Sequence, residues 1–293
     1  MKILITGGTG LIARHFIKAF QQPYQFTVLT RDSAKAQIYL PQGIKVIEQL
    51  PEENTFEVII NLAGEPIVDK RWSETQKNKI CQSRWQITEQ VVAMIKRSAV
   101  KPDCFLSGSA IGYYGETGNI STHEDAQVSH SDFAHQLCQK WENIALKASD
   151  CCRVVLLRTG VVLANDGGAL AKMRLPFSLG LGGKLGHGKQ HMSWIHIEDM
   201  VHAINFCILT TAITGAVNCT SPHTLTNAEF TKALGKQFHR PTWFTVPEPL
   251  LKLLMGQGAE LLLISQNIYP QKLLNHGFSF NHSHIKHALD DLL

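Results

Sequence analysis

Short apolar runs alternate with longer amphipathic segments through the first half of the chain. The runs predict strands, and apolar residues at helical spacing predict helices between them. The predicted strands cover residues 2–6, 26–30, 44–47, 57–62, 104–107 and 153–157, and the predicted helices cover 11–20, 73–97 and 131–147. Strands that are apolar almost throughout are typical of a parallel sheet covered by helices on both faces. Right-handed crossovers then favour a doubly wound α/β fold of the Rossmann type.

The pattern changes after residue 164. A turn at 166–168 and a glycine-rich stretch at 180–188 precede two apolar runs, at 193–197 and 216–219. A helix at 199–209 separates these runs, with Asp199 as its expected N-cap, and from residue 227 the pattern is mainly helical. We expect a Rossmann domain of residues 1–165 with 193–222. Residues 166–192 and 223–293 are expected to form a smaller, mainly helical lobe over the carboxyl edge of the sheet.

The glycine-rich stretch at 180–188 is expected to lack regular structure. It is either a solvated loop or a lid over a ligand site. In the second case Lys184 or His187 would reach the substrate.

The strongest chemical signal is the sequence TGGTGLIA at residues 6–13. It follows the first predicted strand directly and opens a helix, which is the context of a dinucleotide-binding glycine turn. Glycines let backbone N–H groups approach a pyrophosphate, and the helix N-terminus adds partial positive charge. The expected pyrophosphate-binding residues are Gly7, Thr9, Gly10, Leu11 and Ile12.

The end of the second predicted strand distinguishes the two nicotinamide cofactors. An NAD(H) site usually has Asp or Glu there to bind the ribose 2′-hydroxyl. Here the sequence reads Leu29-Thr30-Arg31, and Arg31 can pair with a 2′-phosphate. Asp32 follows at once, and its charge opposes this pairing. The balance favours NADP(H), with NAD(H) as the second choice.

Two further strand ends are expected at the cofactor. Leu62, Ala63 and Gly64 follow the fourth predicted strand, where small residues either let a dinucleotide lie close or form a plain turn. Ser107 ends the fifth predicted strand and opens a segment rich in hydroxyl groups. These hydroxyl groups are expected near the nicotinamide.

These segments together resemble the extended short-chain dehydrogenase/reductases. A narrower similarity covers nearly the whole chain, which looks like an epimerase family protein of the bacterial YfcH type with that family's own C-terminal domain. The segments that carry it are KRW at 70–72, SR at 83–84, SAIGYYG at 109–115, FAHQLCQKWE at 133–142, RTGVVL at 158–163 and WIHIED at 194–199. The resemblance implies an NAD(P)-dependent, epimerase-like oxidoreductase with a small-molecule substrate that the sequence does not identify. It also implies a homodimer through two long helices.

The catalytic pair of this superfamily is missing. Active dehydrogenases use Tyr-x-x-x-Lys on the helix that corresponds to residues 131–147, where the lysine lowers the pKa of the tyrosine and holds the nicotinamide ribose. This helix contains no tyrosine. Alignment on Phe133 puts Leu137 at the lysine position, and alignment on Glu142 puts Ala134 and Cys138 at the two positions. General acid–base catalysis contributes roughly 10²–10⁴-fold, so an active enzyme needs a replacement. The candidate acids are Tyr113, Tyr114, Cys138 and His196, with Ser109 one residue from the usual serine position.

Three functions stay open on the sequence alone. The chain is an NADP(H)-dependent oxidoreductase or epimerase with a replacement acid, a non-catalytic NADP(H) sensor or scaffold, or a module for another nucleotide. Turnover of NADPH with a carbonyl substrate would favour the first function, and tight binding without turnover would favour the second. Arg71 and Arg84 either clamp an anionic group of the substrate or form surface ion pairs.

Composition limits the classes of partner that we expect and indicates the cellular location. The net charge of +4 is scattered over 293 residues, so no nucleic-acid partner is expected. No export signal opens the chain and no apolar stretch of about 18 residues exists, so no membrane partner is expected. Seven cysteines without a CxxC spacing favour reduced thiols and a cytoplasmic location. The 14 histidines have no metal-ligand spacing, so no metal is expected.

Overall fold

The computed structural model describes residues 1–128 and 131–293. A seven-stranded sheet lies at its centre, and every neighbouring pair of strands is parallel. Its strands are β1 (Lys2–Thr6), β2 (Gln25–Leu29), β3 (Lys45–Ile47), β4 (Val58–Asn61), β5 (Cys104–Ala110), β6 (Arg153–Thr159) and, after four short strands outside this sheet, β11 (Gly215–Cys219). The spatial order is β3-β2-β1-β4-β5-β6-β11, so the strand order reverses between β1 and β4. The predicted doubly wound Rossmann fold is confirmed.

Helices cover both faces of this sheet. They are α1 (Leu11–Phe20), α2 (Ser33–Tyr39), α3 (Glu74–Arg97), α4 (Phe133–Leu146) and, later in the chain, α6 (Ile197–Leu209). Buried residues of α1 and α6 share one apolar cluster with alternate residues of β1, such as Ile3 and Ile5. Buried residues of α3 and α4 pack with Leu4 and Phe105 on the opposite face. The strands are therefore apolar on both sides, as the sequence pattern predicts.

The rest of the chain forms short strand pairs and a helical C-terminal region. Its elements are β7 (Val161–Ala164), α5 (Gly168–Ser178), β8 (Gly183–Leu185), β9 (His191–Met192), β10 (Trp194–His196), β12 (Leu225–Thr226), α7 (Asn227–Gln237), β13 (Phe244–Val246), α8 (Glu248–Met255), α9 (Glu260–Leu263), α10 (Gln271–Asn275) and α11 (Ile285–Leu292). The strand pairs are β7 with β10, β9 with β12, and β8 with β13.

Two local predictions need correction. The glycine-rich stretch at 180–188 contains the strand β8, which is held by its pairing with β13. The helix α6 begins at Ile197, and its N-cap is His196 and not Asp199. The Asp199 carboxylate instead accepts hydrogen bonds from the backbone N–H groups of Asn281 and His282. Both corrections come from contacts between segments that are distant in sequence.

The C-terminal region shares its core with the sheet. Leu289 and Leu292 of α11 lie in the same buried cluster as Ile3 and Ile5 of β1. All seven cysteines are unpaired. Within the described residues, no helix has both the length and the apolar character that a bilayer crossing requires.

Candidate functional site

The glycine turn after β1 has a backbone shape that only glycine accommodates without strain. Gly7 has φ +69°, and a Cβ at this position would lie 2.7 Å from backbone atoms of Ala63. The Gly10 N–H donates to the Gly7 carbonyl oxygen at 2.9 Å, which closes the turn. The helix α1 begins directly afterwards, and its N-cap Gly10 offers no side chain to the first N–H groups. These N–H groups are therefore available to a pyrophosphate, so the turn fits a dinucleotide.

The acidic residue next to Arg31 is engaged elsewhere. Asp32 is the N-cap of α2, and its carboxylate accepts a hydrogen bond from the Lys35 N–H at 2.9 Å. Arg31 is exposed two residues beyond the end of β2. Among residues 1–128 and 131–293, no carboxylate lies within ion-pair distance of Arg31. Its guanidinium group is therefore available to a phosphate.

The other expected cofactor positions differ in how accessible they are. Leu62, Ala63 and Gly64 follow β4, and they lie partly or fully open to solvent at the carboxyl edge of the sheet. Ser107 is fully buried in β5, and its hydroxyl lies 3.3 Å from the Gly108 carbonyl oxygen, to which it donates. The contact between the Ser107 hydroxyl and a nicotinamide stays a prediction.

A buried chain of polar side chains crosses the ends of the central strands. Thr6 donates to the Asn61 Oδ1 at 2.5 Å, and Asn61 Nδ2 donates to the Thr88 Oγ1 at 2.8 Å. Trp141 Nε1 donates to the same Thr88 oxygen at 3.0 Å. The chain ties β1 and β4 to α3 and α4. The sequence alone does not predict this chain of hydrogen bonds, because each member is an ordinary residue type for a strand or a helix.

A second buried network surrounds Ser109. Its hydroxyl donates to Glu142 Oε1 at 2.6 Å. Arg158 binds the same carboxylate in a fork, with Nε 2.9 Å from Oε1 and Nη2 2.8 Å from Oε2. Arg158 Nη1 also donates to the Tyr114 hydroxyl at 2.9 Å, and that hydroxyl donates to Asn218 Oδ1 at 2.7 Å. Arg158 is a charged residue in the mainly apolar strand β6, and this signal could have identified it from sequence. Glu142 lies among other polar residues of α4 and gives no such signal.

Two of the expected acids are buried within this region. Burial raises the pKa of Tyr114 to about 12, and its hydroxyl is committed to Asn218. Burial raises the pKa of Cys138 to about 12 as well. Cys138 and Ala134, at the positions of the missing lysine and tyrosine, are both buried. Tyr113 is partly exposed, and its ring lies 3.5 Å from the Arg158 guanidinium carbon.

His196 lies in a different setting from the other three catalytic candidates. Its Nδ1 accepts from the Glu198 N–H at 3.1 Å, and its ring stacks on His282 with centroids 3.8 Å apart. Its Nε2 lies 3.2 Å from Asp291 Oδ2. Burial lowers the pKa of His196 to about 4. These contacts join α6 to the C-terminal segment, whereas Ser109, Tyr114 and Cys138 lie together around α4.

The same histidines form a cluster with metal-ligand residue types. Potential ligand atoms of His196, Glu198 and His282 lie within 4.8 Å of one another. However, Nδ1 of His196 accepts a hydrogen bond, so the neutral ring carries its proton on Nε2. That nitrogen then has no lone pair for a metal, and the His282 Nε2 is 2.9 Å from the Glu198 carboxylate. The arrangement fits a set of structural hydrogen bonds better than a metal centre.

The two arginines flagged as substrate clamps also differ. Arg71 is exposed, and its neighbour Trp72 packs against the C-terminal region through Gly256 and Gly258. Arg84 is half-buried and packs against Gly64. It is not a surface ion pair, because no carboxylate in the described part of the chain lies within ion-pair distance of it.

Comparison with known proteins agrees with this geometry. Residues 3–219 match the NAD dependent epimerase/dehydratase family, and residues 246–292 match a domain of unknown function, DUF1731. The chain is 36% identical to the chloroplastic epimerase family protein SDR39U1 homolog of Arabidopsis thaliana, over 99% of this chain and 86% of that protein. It is 40% identical to the epimerase family protein ML0860 of Mycobacterium leprae, over 85% and 83% of the two chains.

A solved structure of human epimerase family protein SDR39U1 with NADPH superposes with a TM-score of 0.91. It is 29% identical in sequence, and the match covers 100% of this chain and 99% of the human chain. The expected resemblance to epimerase family proteins and the expected nicotinamide dinucleotide class both agree with these matches. The glycine turn, the strand order and the full-length similarity together assign the chain to the NAD dependent epimerase/dehydratase family.

Proposed function

We propose that this chain binds NADP(H) across the carboxyl edge of the sheet and transfers hydride at a carbinol or ketone carbon of a small molecule. The reaction is either a reduction or the redox half of an epimerisation. The observation that carries the cofactor choice is the Arg31–Asp32 pair, in which the aspartate caps α2 and the arginine is unpaired among the described residues. The NADPH in the human relative supports the same choice.

The bound cofactor would supply the hydride in carbonyl reduction and accept it in alcohol oxidation, and it would be held by the turn at Gly7 and Gly10, by Arg31 and by the segment from Leu62 to Gly64. The chain itself has to move one proton at the substrate oxygen. Ser109 is the best-placed group, because its hydroxyl lies 2.6 Å from Glu142 Oε1. In alcohol oxidation, the substrate hydroxyl would give its proton to Ser109 Oγ while the Ser109 proton moves to Glu142. Arg158 binds this carboxylate in a fork and so fixes its position beside Ser109.

Tyr114, Cys138 and His196 fit positioning roles in this scheme. Tyr114 holds Arg158, Cys138 packs beneath Gly112, and His196 caps α6. The protonated Tyr114 and Cys138 are poor proton donors at neutral pH, because their pKa values near 12 lie far from it.

A non-catalytic NADP(H) sensor or scaffold is the second candidate. The favouring observation is that Ala134 and Cys138 occupy the two aligned catalytic positions and are both buried. Such a protein would bind NADPH tightly and consume none with any substrate.

The experiment is calorimetric titration of cofactor-stripped protein with NADPH and with NADH. We expect tighter binding of NADPH, and a loss of roughly tenfold to a hundredfold in Arg31→Asp, because a charge-assisted bond is worth about 1.5–3 kcal/mol. Lys286→Asp is the control, since it removes an exposed cation on α11 and leaves the site unchanged. NADPH oxidation with a panel of aldehydes and ketones, slowed in Ser109→Ala, would support the enzyme. Folded protein that binds neither nucleotide would refute the proposal.

A further inference from the structure

The guanidinium of Arg84 is held by hydrogen bonds from only one of its three nitrogens. Its Nη1 donates to the carbonyl oxygens of Glu65 at 3.1 Å and Ile80 at 3.0 Å. Its Nε and Nη2 have no acceptor among residues 1–128 and 131–293. Neither nitrogen is among the fully enclosed polar atoms without a partner, so each keeps some exposed surface. A half-buried cation without a counter-ion is costly unless a ligand completes its hydrogen bonds.

The guanidinium of Arg84 packs against two neighbouring groups. It lies flat against the backbone after β4, where a Cβ on Gly64 would come within 2.8 Å of Cζ. The Trp141 ring centroid is 5.4 Å from Cζ. Glu65, Cys81 and Cys138 are the titratable groups that face it. Burial lowers the pKa of Arg84, which indicates that the protein does not compensate its charge.

The order of the strands shows which part of a dinucleotide would reach Arg84. Arg31 follows β2, the glycine turn at Gly7 follows β1, and Gly64 follows β4, and these strands are successive neighbours. A dinucleotide whose 2′-phosphate lies at Arg31 and whose pyrophosphate lies at Gly7 continues toward β4. Its next group is the ribose on the nicotinamide side, which carries two adjacent hydroxyls. The two free donors of Arg84 form a fork that matches two adjacent oxygens.

We propose that Arg84 binds the nicotinamide-side ribose of the bound cofactor through Nε and Nη2. Arg84 on α3 would supply the positive charge that a lysine on α4 provides in active dehydrogenases. Here Cys138 is aligned with that lysine. This inference rests on the proposed function, because it assumes that NADP(H) occupies the edge of the sheet. Arg84 would act by positioning the nicotinamide and would not itself take part in proton transfer.

The test compares two ligands that share only the adenosine half. Adenosine 2′,5′-bisphosphate carries the 2′-phosphate and lacks the second ribose, whereas NADPH has both. In Arg84→Met we expect calorimetry to give NADPH binding weaker by about tenfold to a hundredfold and unchanged binding of the bisphosphate. In Arg31→Met both ligands should bind more weakly. Arg84→Lys, which keeps the charge and loses the fork, should lie between Arg84→Met and the wild type for NADPH.

The outcomes separate this inference from the proposed function. If Arg84→Met weakens both ligands equally, or neither of them, the ribose assignment is wrong. If the folded wild-type protein binds neither ligand, the proposed function itself fails and the inference with it. Circular dichroism and thermal unfolding show whether Arg84→Met is folded. If it is not, the Arg84→Lys protein gives the same comparison, and equal losses for the two ligands would again overturn the assignment.

Discussion

Arg158 is a cation buried near the end of an apolar strand. Only 5% of its surface is exposed, and the Glu142 carboxylate that binds it is 4% exposed. A buried ion pair often contributes little net stability, because desolvation of both charges offsets their attraction. Removing one partner is different, since the remaining charge stays buried without compensation. The network around Ser109 therefore depends on both members being present.

We predict that Glu142→Gln destabilises the protein by about 3–5 kcal/mol, whereas Glu142→Leu combined with Arg158→Met costs much less. The single variant leaves the Arg158 charge buried, and the double variant removes both charges. Urea denaturation followed by tryptophan fluorescence gives the two free energies of unfolding. Ser109→Ala is the matched control, because it removes one hydrogen bond to the same carboxylate and should cost about 1 kcal/mol. A double variant no more stable than Glu142→Gln would contradict this account.

At the level of elements, local pattern predicts the strands and long helices but not the contacts that cap and pair them. The predicted helix 73–97 is α3, although α3 begins one residue later. Local pattern predicts this helix because its apolar periodicity depends on no distant partner. By contrast, Asp199 has the residue type of an N-cap, and its carboxylate binds N–H groups more than 80 residues later in the chain. The N-cap of α6 is instead His196, a residue type that N-cap preferences do not favour. The hydrogen bonds that join Ser109, Glu142 and Arg158 connect three elements, and local pattern does not predict such contacts.

The His196 cap makes the junction of α6 with the C-terminal segment sensitive to acid. His282, Glu198 and Asp291 are the titratable groups that face it. The pKa of His196 is about 4 in the folded protein, against 6.5 for an ordinary histidine. The unfolded chain therefore takes up this proton first as the pH falls. Stability from neutral His196 is complete above the unfolded pKa, is lost as the pH falls toward the folded pKa, and changes no further below it.

We predict that this one group lowers the free energy of unfolding by about 2 kcal/mol between roughly pH 7 and pH 5. Urea denaturation across that range measures the slope. His196→Asn is the informative variant, because asparagine is a good N-cap and can accept from the Glu198 N–H, but it does not titrate. Burial also lowers the pKa of His223, but its contribution is common to both proteins and cancels in the comparison. A variant with the same slope as the wild type would show that His196 is not the group responsible.

At the level of the whole molecule, the C-terminal region is continuous with the Rossmann sheet. Leu289 of α11 is 1% exposed and belongs to the cluster that contains β1, α1 and α6. The matched segment of unknown function at 246–292 thus contributes to the same core as β1 and α1, the two elements that flank the glycine turn. Its conformation and the cofactor edge are linked through shared packing. The two parts assigned from the sequence as a Rossmann domain and a lobe should therefore unfold together.

We predict that Leu289→Ala costs about 2–5 kcal/mol and lowers the midpoint of a single thermal transition by roughly 5–15 °C. Leu293→Ala is the matched control, because Leu293 is 38% exposed at the end of the same segment and should change the midpoint little. Far-ultraviolet circular dichroism, which reports on the helices of both parts, and tryptophan fluorescence, which reports on Trp141 of α4 and Trp194 of β10 in the Rossmann part, should give the same midpoint in every variant. An independent lobe would give a different result. The transition of Leu289→Ala would then split in two, and the later step would keep the wild-type midpoint.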